Sequence, residues 1–313
     1  MKESFLISRP DQWLRPTHFM NMEDLREFFF NLEQVLKQNG YQYEITQMIK
    51  EIIPTEKILL AHHTYGRYDR VWHIKKGYIP GFIYFDRTGY SGWAEIANNQ
   101  SLYEMSQQED EITSRQFVES FVKEYAANNQ SKMSQDAAFA RPEGEYVFVV
   151  GQVPGDTVAH WANITSDELV VNVAKRLTGS KYRVVFKPHP IDYSKRLDYY
   201  TQLESALPIT ITHGSIHQII PNASAVFTVN SGVGFESLLY GKRVICSGHS
   251  DYHWVTTRIT DADDLSDIES LVETSLDTTP IYKFVNFMMN KYFIKSNSPS
   301  AIKNKILDIS HNV

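Results

Sequence analysis

Short apolar runs alternate with amphipathic stretches from residue 145 onward, and this alternation constrains the fold more than any other feature of the sequence. Strands are predicted at 146–150, 183–186, 209–212, 225–229 and 243–246, and helices at 167–177, 193–206, 216–220 and 234–240. Strands that alternate with helices indicate a parallel sheet with helices on both faces. Such sheets bind ligands at the carboxyl ends of their strands. We therefore expect an α/β domain of the Rossmann type whose binding residues directly follow its strands.

The sequence before residue 143 has a different pattern. Helices are predicted at 23–38, 43–53 and 114–127, and strands at 57–61, 71–74 and 82–85. The polar stretch 128–144 has the composition of a linker. We therefore expect two domains, residues 1–142 and residues 143–313. The tail at 283–305 is expected to form a helix that packs back across the domains, with membrane contact as the alternative.

Composition limits the classes of partner and compartment. The 313 residues carry a formal net charge of −6, so the chain as a whole does not attract nucleic acid. Cys246 is the single cysteine, which excludes an internal disulfide and a cysteine-rich metal motif. The N-terminus lacks a signal-peptide pattern, and no apolar run approaches the roughly 18 residues that span a bilayer. We expect a soluble, cytoplasmic protein, with peripheral contact at the inner face of the membrane as the alternative.

The segment Lys187-Pro188-His189-Pro190 directly follows a predicted strand. Its two prolines stiffen the turn and hold Lys187 and His189 over the strand end. A lysine charge and an imidazole donor suit a phosphate group. The alternative is a surface turn with incidental polar residues, but the position at a strand end favours a phosphate site.

The segment Asn230-Ser231-Gly232-Val233-Gly234-Phe235-Glu236 leads from a predicted strand into a predicted helix. Glycines allow close backbone approach, and the free amides of a helix N-terminus form an anion site together with the Ser231 hydroxyl. Glu236, one turn into the helix, is placed to accept hydrogen bonds from ribose hydroxyls. The segment matches neither a Walker A loop nor the dinucleotide pattern Gly-x-Gly-x-x-Gly, which argues against kinase and NAD-dependent activities.

Together with residues 151–157, Gly-Gln-Val-Pro-Gly-Asp-Thr, these two segments resemble the capsule polysaccharide biosynthesis family, which includes the KpsC-type and WbbB-type Kdo transferases. Residues 151–157 resemble a Gln-Val-x-x-Asp element of that family through Gln152 and Asp156. The resemblance covers residues 147–248, and the loop 84–95 is a further match. One departure is Gly232, where many relatives carry Thr or Ser.

The resemblance implies a GT-B architecture, with two Rossmann-like domains and the active site in the cleft between them. Residues 1–142 would then form the acceptor or sugar side, and residues 143–313 would hold the donor. It implies a retaining β-Kdo glycosyltransferase that takes Kdo from CMP-β-Kdo to a bacterial surface glycan or glycolipid, such as a capsule polysaccharide, lipopolysaccharide or O-antigen. Retention requires two displacements, and the resemblance gives Asp156 the role of nucleophile. His189 and Ser231 would hold the CMP phosphate, and Glu236 the ribose. From position alone, Asp156 fits a helix cap equally well.

The other expected roles follow from the chemistry of Kdo, whose anomeric carbon carries a carboxylate. Arg87, in the glycine-rich loop 86–95, is favoured over Lys75 and Lys76 as the cation for that carboxylate. The base for the acceptor hydroxyl is expected to be His160 or Glu95, and His160 fits a structural role equally well. The complete set of expected donor ligands is Lys187, His189, Pro190, Asn230, Ser231, Gly232, Glu236, Gln152, Arg87 and Ser91.

No metal or other cofactor is expected, because lysine, histidine and a helix terminus supply the phosphate contacts. The pairs His213/His217 and His249/His253 have a spacing that suits zinc on a helix, but neither has an evident third ligand.

Two other functions compete with Kdo transfer. One is a different enzyme on the same scaffold, either a CMP-sialic acid transferase or a UDP-sugar enzyme of the epimerase type, and the Asp156 motif argues against it. The other is a non-catalytic glycan- or nucleotide-binding protein. The presence of Asp156, His189 and Glu236 together argues against that function.

Overall fold

The chain forms two α/β units in the computed structural model, which describes residues 3–15, 22–53, 55–135 and 138–311. The first unit combines residues 1–100 with 287–313, and the second comprises Ser101–Asn286. The sequence predicts one division, at 142/143, whereas the compact units divide after Gln100 and again after Asn286. The helix and the polar stretch that precede residue 143 therefore lie in the second unit.

The first unit is built on a six-stranded sheet with the order β12-β5-β4-β3-β1-β2. Its strands are β1 (Ser4–Arg9), β2 (Gln42–Gln47), β3 (Ile58–His62), β4 (Val71–Lys76), β5 (Phe82–Asp86) and β12 (Ile294–Lys295). Its helices are α1 (Glu23–Gln38), α2 (Glu95–Asn98) and α12 (Pro299–His311), with a 3-10 turn at Ser91–Trp93 and a π-helical turn at Met288–Tyr292. Strands β1 to β4 are parallel, whereas β5 runs antiparallel to β4 and to β12.

Helix α1 has the bounds predicted from its apolar spacing, and its buried face packs on the sheet. Acidic residues in its first turn and Lys37 in its last turn complement the helix dipole. The apolar face of α12 joins the same core through Ile302, Ile306 and Ile309. The tail of the chain therefore packs within the first unit.

The helix predicted at 43–53 is wrong, because residues 42–47 form strand β2. This strand pairs in parallel with β1 along its whole length, with Tyr43 opposite Phe5 and Ile45 opposite Ile7. It lies at the edge of the sheet and is largely exposed, so Tyr43 and Ile45 are its only apolar residues. Pairing with β1, and not local propensity, determines its conformation.

The second unit is built on a six-stranded, entirely parallel sheet with the order β11-β10-β9-β6-β7-β8. Its strands are β6 (Glu145–Val150), β7 (Tyr182–Lys187), β8 (Ile209–Ile211), β9 (Val226–Thr228), β10 (Val244–Cys246) and β11 (Thr257–Arg258). Its helices are α3 (Gln100–Ser106), α4 (Glu111–Ala127), α5 (Ser166–Arg176), α6 (Pro190–Tyr193), α7 (Leu197–Ala206), α8 (Ile216–Ile219), α9 (Gly232–Leu239), α10 (Ile268–Glu273) and α11 (Thr279–Phe287). Short 3-10 turns lie at Thr157–Trp161, Ile220–Asn222, His253–Val255 and Asp263–Leu265.

The predicted strands of the second unit are confirmed to within about two residues. Helix α5 begins with a capping box, in which Thr165 accepts from the Glu168 amide and Glu168 reaches back to Thr165. The single helix predicted at 193–206 is instead the pair α6 and α7. Arg196 breaks it by leaving the helical conformation, and its guanidinium binds Asp167.

The predicted α/β fold class is confirmed, since both units are built on sheets with parallel strands. Within the part of the chain that the structure describes, every helix is too short or too polar to cross a membrane.

Candidate functional site

Three loops of the second unit emerge from adjacent strands. Strands β9, β6 and β7 are neighbours and parallel, so the loops that follow them lie at one edge of the sheet. Gly151, directly after β6, donates its amide to the Lys187 carbonyl at 2.8 Å. A Cβ on Gly151 would lie 2.8 Å from the Pro188 Cα and 2.9 Å from the His189 nitrogen, so only glycine permits this approach. The structure therefore brings residues 151–161, 187–190 and 229–236 together.

Asn230 connects two of these loops through a side chain that is 2% exposed. Its Oδ1 accepts from Gln152 Nε2 at 2.8 Å. Its Nδ2 donates to the Val158 carbonyl at 2.8 Å and to the His249 carbonyl at 3.2 Å. The predicted donor ligand Asn230 thus uses its amide inside the protein, where it fixes the loop that carries Asp156. Gln152 is also buried, and its Oε1 makes no hydrogen bond within the described residues.

Asp156 is exposed and begins the 3-10 turn Thr157–Trp161, where its carboxylate accepts from the Thr157 amide at 2.7 Å. The helix-cap role that sequence position allowed is therefore present in the structure. The turn ends with His160, which is also exposed, and Trp161, whose ring centroid lies 5.2 Å from that of His160. Asp156 and His160 thus share one short turn.

His189 caps α6, and its Nδ1 accepts from the Ile191 amide at 3.3 Å. Burial lowers the pKa of His189, and the nearby charge of Lys132 lowers it further, whereas Asp156 and Asp192 raise it. A neutral imidazole whose Nδ1 accepts a hydrogen bond carries its proton on Nε2. His189 therefore presents a neutral N–H donor at the strand edge.

Pro190 occupies the first turn of α6, where the missing N–H of proline leaves no hydrogen bond unmade, and it is exposed. Lys187 is buried, and its ammonium donates to the Gly214 carbonyl at 2.6 Å, the His213 carbonyl at 3.3 Å and Gln135 Oε1 at 3.2 Å. The structure therefore places the Lys187 charge against the loop after β8.

The N-terminus of α9 is shaped by close packing. Ser231 caps the helix, with Oγ accepting from the Val233 amide at 3.3 Å, and Gly232 is the first helical residue. A Cβ on Gly234 would lie 2.5 Å from the hydroxyl of Tyr252, which is fully buried and donates to the Ser231 carbonyl at 2.7 Å. Ser231 and Gly232 are half-buried, so the first turn of α9 remains reachable by a ligand.

Glu236 lies on the buried face of α9 and accepts a 2.6 Å hydrogen bond from the hydroxyl of Tyr125, on α4. Burial raises the pKa of Glu236 to about 7, although the hydrogen bonds from Tyr125 and Ser131 and the charges of Lys132 and Lys187 act in the opposite direction. The carboxylate expected to bind ribose is therefore already in contact with α4 and the segment after it.

Tyr125, Lys132 and Gln135 belong to this site, although no motif of the sequence indicates a role for them. They lie in α4 and in the polar stretch after it, which has the composition of a linker. Gln135 Oε1 accepts from the Ile216 amide at 3.1 Å as well as from Lys187. The apolar spacing of α4 was a signal for Tyr125, whereas no local pattern marks Lys132.

The two histidine pairs have other contacts. His217 Nδ1 lies 2.6 Å from the Tyr240 hydroxyl, and the rings of His249 and His253 lie 4.7 Å apart. Within the described ranges, no group of three or more His, Cys, Asp or Glu residues is placed to hold a metal ion. The one cysteine, Cys246, is buried in β10, which raises the pKa of its thiol to about 11.

The residues expected in the first unit differ in environment. Arg87 Nη1 donates to the carbonyls of Val71, at 2.6 Å, and Tyr68, and its guanidinium stacks 4.5 Å from the Trp72 ring centroid. The buried Lys76 pairs with Asp24 at 3.2 Å. The structure thus engages both of these cations within the unit.

Glu95 begins α2, and its amide donates to the Asp86 carboxylate at 3.2 Å. Ser91 is buried, and its Oγ makes no hydrogen bond within the described residues. Lys75 lies with its Nζ 5.2 Å from the ring centroid of Tyr90.

Comparison with known proteins identifies the family. Residues 98–270, more than half of the chain, match the family model of the capsule polysaccharide biosynthesis protein. Protein FixF of Sinorhizobium fredii (strain NBRC 101917 / NGR234) is 28% identical over 291 residues, covering 87% of this chain and 67% of FixF. The structure of Thermosulfurimonas dismutans KpsC, beta Kdo 2,7 transferase, has a TM-score of 0.54 at 16% identity, covering 98% of this chain and all of that one.

The structure named as the beta Kdo 2,4 transferase of the same KpsC also has a TM-score of 0.54, at 13% identity, and covers 91% of this chain and 90% of that one. These two similarities show a shared fold. The family match rests on the sequence itself and includes all three strand-end loops. The chain therefore belongs to the capsule polysaccharide biosynthesis protein family.

Proposed function

We propose that this protein is a retaining glycosyltransferase that transfers Kdo from CMP-β-Kdo to a bacterial surface glycan or glycolipid. Family membership and the fold shared with two β-Kdo transferases support glycosyl transfer. The observation that carries the proposal is the relation between Asp156 and His189. They follow neighbouring parallel strands, and their side chains are close enough for the Asp156 charge to raise the pKa of His189.

In the first step, a carboxylate oxygen of Asp156 attacks the anomeric carbon of Kdo. The bond between that carbon and the phosphate oxygen breaks, and its electron pair leaves with CMP. The His189 Nε2–H, the Ser231 hydroxyl and the N-terminal turn of α9 would stabilise the departing phosphate. The product of this step is a covalent glycosyl ester on Asp156.

In the second step, the acceptor hydroxyl attacks the same carbon, and the Asp156 carboxylate leaves with the electron pair of the ester bond. A base must take the hydroxyl proton. We assign this role to His160, because it is exposed on the same short turn as Asp156. Glu95 in the first unit is the second candidate.

The nucleotide would bind beside the nucleophile. Glu236 would accept from ribose hydroxyls in place of, or in addition to, its bond with Tyr125. Lys132 is the nearby cation for an anionic group of the donor, since its charge acts on both His189 and Glu236. Gln152 Oε1 is a further acceptor that the described residues leave unpaired. No metal is proposed, because these side chains and α9 would supply the phosphate contacts.

Intact-mass spectrometry after mixing with CMP-Kdo tests the nucleophile. The wild-type protein should gain the mass of one Kdo residue, and the Asp156→Ala variant should not. Asp198→Ala, at an exposed aspartate of α7, is the matched control and should gain the adduct. Transfer of Kdo by a wild-type protein that never carries the adduct, or inversion at the anomeric carbon, would overturn the double displacement.

Calorimetric titration tests the nucleotide separately from the sugar. CMP should bind more tightly than UMP, and His189→Ala should weaken CMP binding about tenfold or more, as expected for loss of a hydrogen bond to a charged phosphate. The exposed His311 of α12 provides a control in His311→Ala. Unchanged CMP affinity in His189→Ala would remove His189 from the phosphate site. Transfer from a CMP-sialic acid or a UDP-sugar, but not from CMP-Kdo, would replace the assigned donor.

A further inference from the structure

A cluster of rings in the first unit lies beside a cation. The aromatic cluster consists of Trp13, His62, His63 and Tyr90. The rings of Trp13 and His62, of Trp13 and His63, and of His63 and Tyr90 each lie 5.5 Å apart between centroids. The Nζ of Lys75 lies 5.2 Å from the centroid of Tyr90 and 6.0 Å from that of Trp13. Two aromatic faces therefore hold the Lys75 ammonium at the cluster.

Two polar side chains in and beside the cluster are buried without a hydrogen bond to any described residue. His62 is 1% exposed, and neither of its ring nitrogens has a hydrogen-bond partner in the part of the chain that the structure describes. Ser91, next to Tyr90, is 3% exposed, and its hydroxyl also has no hydrogen-bond partner within those ranges. Native proteins rarely leave buried polar groups unpaired, because each one loses its hydration without compensation. Both side chains therefore have hydrogen-bonding groups that the described residues leave unused.

The state of His62 defines what it can bind. Burial lowers the pKa of His62 well below its ordinary value, and the charges of Lys75 and His63 act in the same direction. A neutral imidazole has one N–H donor and one acceptor nitrogen, and a serine hydroxyl also does both. Hydroxyl groups of a ligand match this combination, whereas an anion would use only the donors.

The backbone at this cluster is strained. His63 and Ser91 have φ values of 59° and 51°, in the left-handed region that residues with a Cβ rarely occupy. The Asp86 carboxylate fixes the loop before Ser91 by accepting from the amides of Thr88 at 2.7 Å and Gly89 at 2.8 Å. Strain of this kind persists where it serves a function. Here the two residues with a left-handed backbone conformation lie in the aromatic cluster and directly after it.

We propose that the aromatic cluster, with Lys75 and Ser91, binds a pyranose that carries a carboxylate. The sugar hydroxyls would pair with His62 and Ser91, its C–H faces would pack on the rings, and its carboxylate would lie against the Lys75 ammonium. The half-buried Trp13 must move from His62 to admit the sugar, because His62 is closed to solvent. The role of this site in catalysis rests on the proposed transferase function, but its ability to bind does not.

The carboxylated sugar has two sources in the proposed reaction, the donor and the acceptor. Binding is tested first with isolated sugars, using ligand-observed saturation-transfer NMR and tryptophan fluorescence. The probes are the methyl glycoside of Kdo and methyl β-D-glucuronide, with methyl β-D-glucoside as the neutral match of the glucuronide. At least one carboxylated probe should bind, and the glucuronide should bind at least about tenfold more tightly than the glucoside if it is that probe. The proposal would be overturned if neither carboxylated probe binds, or if the glucuronide and the glucoside both bind with equal affinity.

Three variants connect that binding to the cluster. Lys75→Met should lower the affinity for the carboxylated probe about tenfold or more. Lys303→Met, at an exposed lysine of α12, should leave that affinity unchanged. His62→Phe removes an unpaired polar group without leaving a cavity, so the variant should remain folded while sugar binding falls. Full affinity in both Lys75→Met and His62→Phe would exclude this site.

Steady-state kinetics then distinguish the two sources. A higher KM for CMP-Kdo in donor hydrolysis by Lys75→Met, without acceptor present, would assign the site to the donor sugar. A higher KM for the acceptor alone would assign it to the acceptor sugar. If no CMP-sugar reacts but the glycosides still bind, the proposed function fails and the binding site stands.

Discussion

The hydroxyl of Tyr125 donates a 2.6 Å hydrogen bond to the carboxylate of Glu236, and this bond joins α4 to α9 inside the second unit. The contact spans 111 positions of the sequence. It holds α4 against α9, the helix that begins within the strand-end loop 229–236. It also places the Glu236 carboxylate where its protonation affects the stability of the fold.

The stability of the protein should fall as the pH rises from about 4.5 to about 7, through the contribution of Glu236. Its pKa is about 7 in the folded protein and near 4.5 in the unfolded chain, so the folded state holds the proton more tightly within this window. The stabilising contribution of Glu236 is complete below the pKa of the unfolded chain and lost above the pKa of the folded protein. This pKa difference corresponds to about 3 kcal/mol in the free energy of unfolding.

Glu236→Gln removes this dependence and retains an acceptor for Tyr125. Urea unfolding gives the free energy of unfolding of both proteins at pH 5 and at pH 8. Between these pH values, the free energy of unfolding of the wild type should fall by about 3 kcal/mol relative to that of the variant. Parallel pH profiles for the two proteins would show that Glu236 does not hold its proton in the fold.

Asn230→Asp should destabilise the protein by about 3 kcal/mol or more. The substitution replaces the amide that donates to the Val158 and His249 carbonyls with an acidic oxygen in a buried position. Chemical denaturation measures the loss, and hydrogen exchange should become faster in the turn Thr157–Trp161. Asn222→Asp, at an exposed asparagine, should stay within about 0.5 kcal/mol of the wild type. Equal stability of the two variants would contradict the connecting role of Asn230.

Gly234→Ala should destabilise the protein by about 1–3 kcal/mol, although alanine favours a helix. The new Cβ would lie 2.5 Å from the hydroxyl oxygen of Tyr252, which is buried and cannot withdraw. In a Tyr252→Phe background the same substitution should be less harmful, because the nearest clashing atom is absent. A four-member unfolding cycle measures this coupling, and strict additivity would contradict the close contact.

The pKa of His189 should respond in opposite directions to its two charged neighbours. Lys132→Met should raise the pKa, because it removes a positive charge, and Asp156→Asn should lower it, because it removes a negative one. Histidine titration by NMR gives both shifts, with the exposed Lys123→Met as a control. A shift in the same direction in both variants would show that these charges are not arranged as described.

The backbone of this site could be predicted from the sequence because its signals are local. The cap at Ser231 and the turn at His189 follow directly from residues next to their strands. The partners of those side chains could not be predicted, because they depend on contacts distant in sequence. Lys187, expected to meet a phosphate, donates to the Gly214 carbonyl, and Tyr125 reaches Glu236 only because α4 packs on α9.

The errors in the fold have a similar cause. Strand β2 lies at an exposed edge of the sheet, and pairing with β1 determines its conformation. Its own residues therefore say little about its secondary structure. The return of the chain to the first unit could not be predicted either, because β12 and α12 join a sheet and a core formed by residues far earlier in the chain. Where a structural feature depended on neighbours in sequence it could be predicted, and where it depended on neighbours in space it could not.

The interrupted sequence of the first unit has a consequence for the order of folding during synthesis. Every strand of the second unit emerges from the ribosome before Ile294 and Lys295 can pair with β5. Until the ribosome has passed Ile309, the apolar face of α1 lacks the three isoleucines that cover it. The nascent first unit therefore exposes apolar surface while the complete second unit forms, and this interval is when a chaperone would engage the chain.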